Sequence, residues 1–432
     1  MRKHGPDKLK PLFVSLFLCC NLSNVFAEKH PAGFTSITQD TYDSRVKHAN
    51  IDIKNFIKHS TLNITSQHYL QQLITDTQAY WQNRPYALKH AMGEGNWCDF
   101  KLTKTPCPHI QQDPIYRTDE FNCTTYTQTV LALIRATTLN QFKINLARIA
   151  YGANDTKTIS YFNRNHFTSS DFNRINESTH LIKDVTPDID KNKTRWKTTT
   201  INHQQWIQTQ IKQSRSTLVR VLNAKQGESM LNKLHDNIKN APATRQVKIS
   251  YIPKEDLSIT TKQGYKANEA LLKAIPTPAI MEVVRDDTKW NVAGSSIKKV
   301  IGSGILVSHI GVLYRQGFKK GDLIYRNISC TDRNNPQCQV NPVYCNKVDG
   351  CNELMFSSAT DAFPNQYYYY KDAKGHYQCT DKPPLHKIRT TTCNRVESLP
   401  LSQYVTTKQY GHYTFLDSPS IVGIHIEKIR NT

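Results

Sequence analysis

Phe121-Asn122-Cys123-Thr124-Thr125-Tyr126 is the stretch on which the reading of the fold turns. Tyr126 is followed by Val130, Leu133 and Ile134 at i+4, i+7 and i+8, one apolar stripe at the helical repeat, so the spacing predicts a helix that begins here. Cys123 then sits at the N-terminal end of that helix. The backbone N–H groups and dipole of a helix start favour a thiolate, and the same amides offer donors to a developing oxyanion. A cysteine kept only for packing gains nothing from either.

Upstream, residues 92–114 read as a loop rich in Gly, Cys and Pro. Before it, residues 28–80 read as a polar helical segment packed on the core, with Ile51, Ile53, Phe56, Ile57, Leu70, Leu73 and Ile74 spaced near the helical repeat. Downstream, residues 196–245 read as a peripheral helical excursion with Trp206, Ile207, Ile211 and Leu218 as buried contacts. The pattern then changes to strands at 247–252, 280–284 and 305–314. His309 lies in the last of these, where a lone histidine in an apolar run is either a satisfied buried imidazole or a base. Residues 330–393 read as a Cys-rich insertion. A final strand alternates Val422, Ile424 and Ile426 with Gly423, His425 and Glu427, so one sheet is expected to take strands from both sides of the insertion.

The chain is 432 residues long, with 38% hydrophobic and 21% charged content, values that exclude disorder and a multi-span membrane protein. Arg2, Lys3, Lys8 and Lys10 precede an apolar run too short to span a bilayer, and Val25-Phe26-Ala27 offers a cleavage site. Residues 1–27 therefore read as an export signal, with an uncleaved anchor or a lipoprotein as the alternatives. Its removal leaves 52 basic against 34 acidic residues, or +18, in a mature chain counted from the whole sequence. Such charge suits anionic partners. No nucleic-acid signature is found, so a cell-wall polymer or membrane surface is the better partner.

Nine of the 11 cysteines follow the signal. Export places them in an oxidising compartment, where an odd number leaves one unpaired. Six lie between 330 and 393, and Cys98 and Cys107 are near enough to close a loop, which leaves Cys123 over. Zinc is the rival reading of the cluster, but no Cys-x-x-Cys pair occurs among Cys330, Cys338, Cys345 and Cys351. No His-Glu-x-x-His or comparable pair is present, so neither a metal nor any other cofactor is expected. A leftover cysteine at a helix start with a later strand histidine is the order of a papain-like thiol enzyme.

These residues resemble a known family. Arg84-Pro85-Tyr86, the Cys123 stretch and Val307-Ser308-His309-Ile310-Gly311-Val312 resemble the NlpC-type papain-like superfamily, and within it the N-acetylmuramoyl-L-alanine amidase-like branch. Tyr161-Phe162-Asn163-Arg164-Asn165-His166-Phe167, Asp184-Val185-Thr186 and Tyr251-Ile252-Pro253-Lys254 resemble segments of that branch.

The resemblance implies an α+β fold with the nucleophile helix packed on an antiparallel sheet, within a catalytic domain spanning 81–432. It implies a bacterial, periplasmic or secreted amidase acting on peptidoglycan or muropeptides. Cys123 would be the nucleophile and His309 the base. Tyr86 would stand near the oxyanion, and Arg164 and His166 would line the substrate groove. Asn327 in Tyr325-Arg326-Asn327-Ile328-Ser329 falls where the branch has a histidine, and would orient the imidazole. A γ-D-glutamyl endopeptidase and a non-catalytic basic wall-binding module are the other readings open to such a chain.

Overall fold

Strands from residues 182–429 pair into one antiparallel sheet, and the helices that precede them cover one of its faces. The structure is a computed structural model. It describes residues 37–430, except 61–66, 88–91, 99–108, 154–155, 222–223, 263, 293, 331–337, 361–367, 372–376, 381–394, 407–414 and 417. The signal-type segment 1–27 lies outside the described residues, as do Cys107 and Cys393.

The longer helices are α1 (Gln39–His59), α2 (Gln67–Trp81), α3 (Cys123–Leu133), α4 (Leu139–Tyr151), α5 (His203–Val221) and α6 (Ala224–Asn237). The strands used below are β1 (Ile182–Asp184), β2 (Arg195–Ile201), β3 (Arg245–Pro253), β4 (Ala279–Arg285) and β5 (Val307–Phe318), then β6 (Leu323–Cys330), β7 (Cys338–Tyr344), β8 (Cys351–Thr360), β9 (Arg395–Pro400) and β10 (Ile421–Ile429). Eight of them form the main sheet in the order β9-β8-β5-β4-β10-β3-β2, with β1 on β10. All of its pairings are antiparallel. The fold is therefore α+β. Among the described residues no helix is long and apolar enough to cross a membrane.

The pleat sends alternate side chains to opposite faces. Ile280 of β4 and Ile310, Val312 and Tyr314 of β5 pack with α3 and α4 on one face. Met281, Val283, Leu313, Phe356 and Ile424 pack on the other, with Leu401 and Tyr404. Tyr126 of α3 fixes the helix on the sheet through a 2.8 Å hydrogen bond with Ser357 of β8. Beyond α3, α1 and α2 form a brace. Trp81 is fully buried, stacked on Phe56 at 5.6 Å and tilted against Phe121 at 5.4 Å.

Three expectations change. Trp196 lies in an edge strand and not in a helix, because Thr198-Thr199-Thr200-Ile201 is a β-branched run that pairs with β3, and the helical excursion starts only at His203. The span 330–393 is not wholly an insertion, since its residues 351–360 form β8, the strand directly beside β5. Ile51 is exposed, whereas Ile53 and Phe56 are buried as the helical spacing predicts.

Trp81→Ala is expected to lower stability by about 3–5 kcal/mol, because it empties a fully buried indole site between α1 and the approach to α3. A denaturant titration read by circular dichroism checks this as a shift in the unfolding midpoint.

Candidate active site

The start of α3 is built by its neighbours in sequence. Asn122 is extended, its side-chain oxygen accepts the Thr125 N–H at 2.8 Å, and the Thr125 hydroxyl accepts the Asn122 N–H at 3.0 Å. This capping box satisfies the third amide of the helix and fixes where the helix begins. Cys123 is the first helical residue, and its carbonyl accepts from the Thr127 hydroxyl at 2.9 Å. The Cys123 side chain is fully buried and in no disulfide. Cys98, by contrast, is disulfide-bonded, and Cys345 is joined to Cys351.

Arg84-Pro85-Tyr86 holds the approach to this helix. The Phe121 N–H donates to the Pro85 carbonyl at 3.0 Å and the Ala87 N–H donates to the Phe121 carbonyl at 2.7 Å. On its other side the segment bonds to β9, with the Val396 N–H on the Arg84 carbonyl at 2.8 Å. Tyr86 is buried and bridged to Phe121, two residues from Cys123.

His309 is the third residue of β5 and is buried. It registers with Val283, and the next pair is Val284 with Val307, so Ser308 is the extra residue of a bulge. His309 shares the pleat parity of Leu313, on the face away from α3. The bulge interrupts the alternation directly before it, an irregularity of the kind that re-aims side chains. The ring that meets the imidazole is Phe356, edge-on at 5.7 Å. Gly311 is needed here because a Cβ would fall 2.5 Å from both Phe356 and the Ser357 carbonyl.

The sheet does not bring Asn327 alongside His309. Asn327 lies in β6, registered with Asn341 of β7 in a separate two-stranded ribbon. The chain leaves β5, makes this ribbon and returns as β8, so the strand beside His309 is the third along the chain and not the second. The residue it presents is Phe356.

Arg164 and His166 are also placed differently from the expectation of a groove. Arg164 is buried, and its guanidinium donates to Gln111 Oε1 at 2.8 Å and to the Met92 carbonyl at 3.3 Å. It locks the 92–114 loop from inside. Glu94 does the same from the other direction, its carboxylate accepting the N–H groups of Ile110, Gln111 and Tyr161. The His166 ring lies between Tyr161 at 4.7 Å and Trp206 at 4.4 Å, with Nε2 2.6 Å from the Tyr161 carbonyl. Burial, reinforced by the Arg164 charge, pushes it down to about 3, so it is neutral. Both residues serve the interior. A sequence segment fixes order along the chain but not depth, and these two lie buried where the resemblance implied a groove.

The AmiA-like family model, described as N-acetylmuramoyl-L-alanine amidase-like, matches residues 102–343, more than half of the chain. The chain belongs to that family. The matched span carries Cys123, Arg164, His166, His309 and Asn327. Among solved structures, this AmiA-like chain is similar to a crystal structure of a protein from Legionella pneumophila str. Philadelphia 1 assigned to the family DUF1460. That similarity has a TM-score of 0.57 and 24% identity, covering 90% of this chain and 96% of the other. At that identity the likeness speaks for the fold. No curated protein matches.

Two residues outside the family match, His425 and Glu427, centre a polar cluster that the sequence reading did not offer as a site. His425 of β10 is buried, with Nε2 3.0 Å from Glu427 Oε1 and Nδ1 2.9 Å from the Ser250 carbonyl. Thr186 and the Ser250 hydroxyl also touch Nδ1, and that hydroxyl donates to Asp184 at 2.8 Å. The signal in the sequence was the alternation of His425 and Glu427 with Ile424 and Ile426, which marks a polar row on a strand buried on both faces. Burial opposes a charge on His425, but the hydrogen bond and charge of Glu427, with Glu282 and Asp184, outweigh it and push the imidazole up to about 10.

A histidine whose folded value is raised adds stability that is whole below about pH 6.5 and is lost as pH rises toward 10. The melting temperature should therefore fall across that window, and His425→Gln should flatten this part of the profile. Thermal melts of both proteins at intervals of pH check it.

Proposed function

We propose that this chain is an exported cysteine amidase that hydrolyses the bond between the lactyl group of N-acetylmuramic acid and L-alanine in peptidoglycan or its fragments. The observation that carries the reading is Cys123, a thiol kept out of disulfides and set as the first residue of a capped helix within the family match. Helix-start amides stabilise a thiolate, and they also face negative charge that grows on an attacked carbonyl oxygen.

In this reading the Cys123 thiolate attacks the lactyl carbonyl carbon and forms a C–S bond. His309 holds the thiol proton and delivers it to the nitrogen of L-alanine as the C–N bond breaks. A water, deprotonated by His309, then attacks the thioester, releasing the muramic acid carboxylate and restoring the thiol. The register sets the imidazole on the face opposite α3, so this reading requires it to turn toward Cys123, and the His309→Ala rate below tests that requirement. Asn327, whose strand lies in the separate β6–β7 ribbon, is given no step in this reading. The papain-like NlpC-type arrangement is part of the proposal, as is export, which rests on the basic and apolar pattern of residues 1–27.

Purified muropeptides incubated with the mature protein should release peptides that begin with L-alanine, read by mass spectrometry. Cys123→Ala and His309→Ala should each lower the rate by roughly three orders of magnitude or more. Cleavage after the D-glutamyl residue instead would make the chain an endopeptidase. Equal product from the native protein and Cys123→Ala would remove the cysteine mechanism.

A further inference from the structure

A cavity of about 280 Å³ opens between the 169–177 segment and strands β1, β3 and β10. Its floor includes Glu427 and Asn173, which are 1% and 6% exposed. Glu427 Oε1 is taken by His425, while Oε2 is buried and meets no donor among the described residues. Asn173 Nδ2 donates to Glu282 Oε2 at 3.1 Å, which fixes the amide orientation and leaves Oδ1 as an acceptor that likewise meets no described donor. Two buried acceptors without donors in a cavity wall are costly unless a ligand satisfies them. One of them belongs to a carboxyl group, so a cationic N–H donor fits best.

Cations outnumber acids at the mouth: Arg174, Arg245 and Lys248 line it beside Glu177 and Asp184, and Arg174, Lys248 and Glu177 are exposed. Among the described residues no group of three acidic, histidine or cysteine side chains is arranged to hold a metal ion. An acceptor floor beneath a guanidinium and ammonium mouth suits one small group that carries both charges. We propose that this cavity binds an amino-acid zwitterion, its ammonium on Glu427 and Asn173 and its carboxylate at Arg174, Arg245 and Lys248. The zwitterion can come from a free amino acid or from the end of a diamino acid side chain in a wall peptide. The inference stands apart from the amidase reading and needs no turnover.

Isothermal titration calorimetry on the mature chain tests it with L-alanine, meso-diaminopimelate, methylamine and acetate. At least one of the two zwitterionic probes should bind, and methylamine and acetate should each bind about tenfold or more weakly. Binding of L-alanine points to the free amino acid as the source, and binding of diaminopimelate alone points to the diamino acid end. Glu427→Gln should weaken the zwitterion by about tenfold or more. Since Glu427 is packed on His425, Arg245→Ala at the mouth gives an independent loss in a variant whose melting temperature should stay native. No heat from either zwitterion overturns the proposal. So does methylamine binding as well as the zwitterions, or unchanged affinity in both variants.

Discussion

The reciprocal bonds between Asn122 and Thr125 are the contact on which the site depends. They are worth about 1 kcal/mol as a helix cap, a small part of the stability of a chain this size. Their larger consequence is positional. They make Cys123 the first helical residue, so its side chain and amide share the one place in a helix where donors point outward along the axis. Everything around α3 keeps that start in place. Trp81 presses on Phe121, the 83–87 segment bonds Phe121 to β9, and Tyr126 is tied to Ser357 on the sheet.

The interior is unusually polar for a sheet covered on both faces, and its charges are spent on order. Glu94 and Arg164 fasten the 92–114 loop through backbone groups and Gln111. His425 and Glu427 tie β10 to β3 and to the turn after β1. Removing one partner of such a group leaves the other buried without compensation, so these contacts specify the arrangement more than they add to its net stability. Asp184 and Thr186, which belong to a segment resembling the family, meet Ser250 and His425 in this cluster. The resemblance of that segment is thus at least partly a matter of building the sheet.

Much of this was legible in the sequence, for physical reasons that can be named. The helix at Cys123 showed itself by its apolar period, and α1, α2, β3, β4 and β5 by their own periodicities. Cys123, which is in no disulfide, is the cysteine that the count set apart on the expectation of export. What could not be read was adjacency and depth. Asn327 was assigned by its place after the histidine strand, but the β6–β7 ribbon intervenes and β8 takes the neighbouring position with Phe356. Arg164 and His166 have the residue types of a groove, yet lie buried against Gln111, Tyr161 and Trp206. Trp196 was joined to the helix that follows, although the run of threonines beside it favours a strand. The partners of His425 come from residues 186, 250 and 427, and only the fold brings the first two to it.

The central claim is that Cys123 carries the acyl group of the substrate. Rapid acid quench of the mature protein with a muropeptide, followed by intact mass and peptide mapping, tests it most directly. The account predicts a muramoyl thioester on the peptide that contains Cys123, absent after Cys123→Ala. Product formation at full rate with no acyl adduct on that peptide under any quench time, or an adduct on another residue, would contradict it.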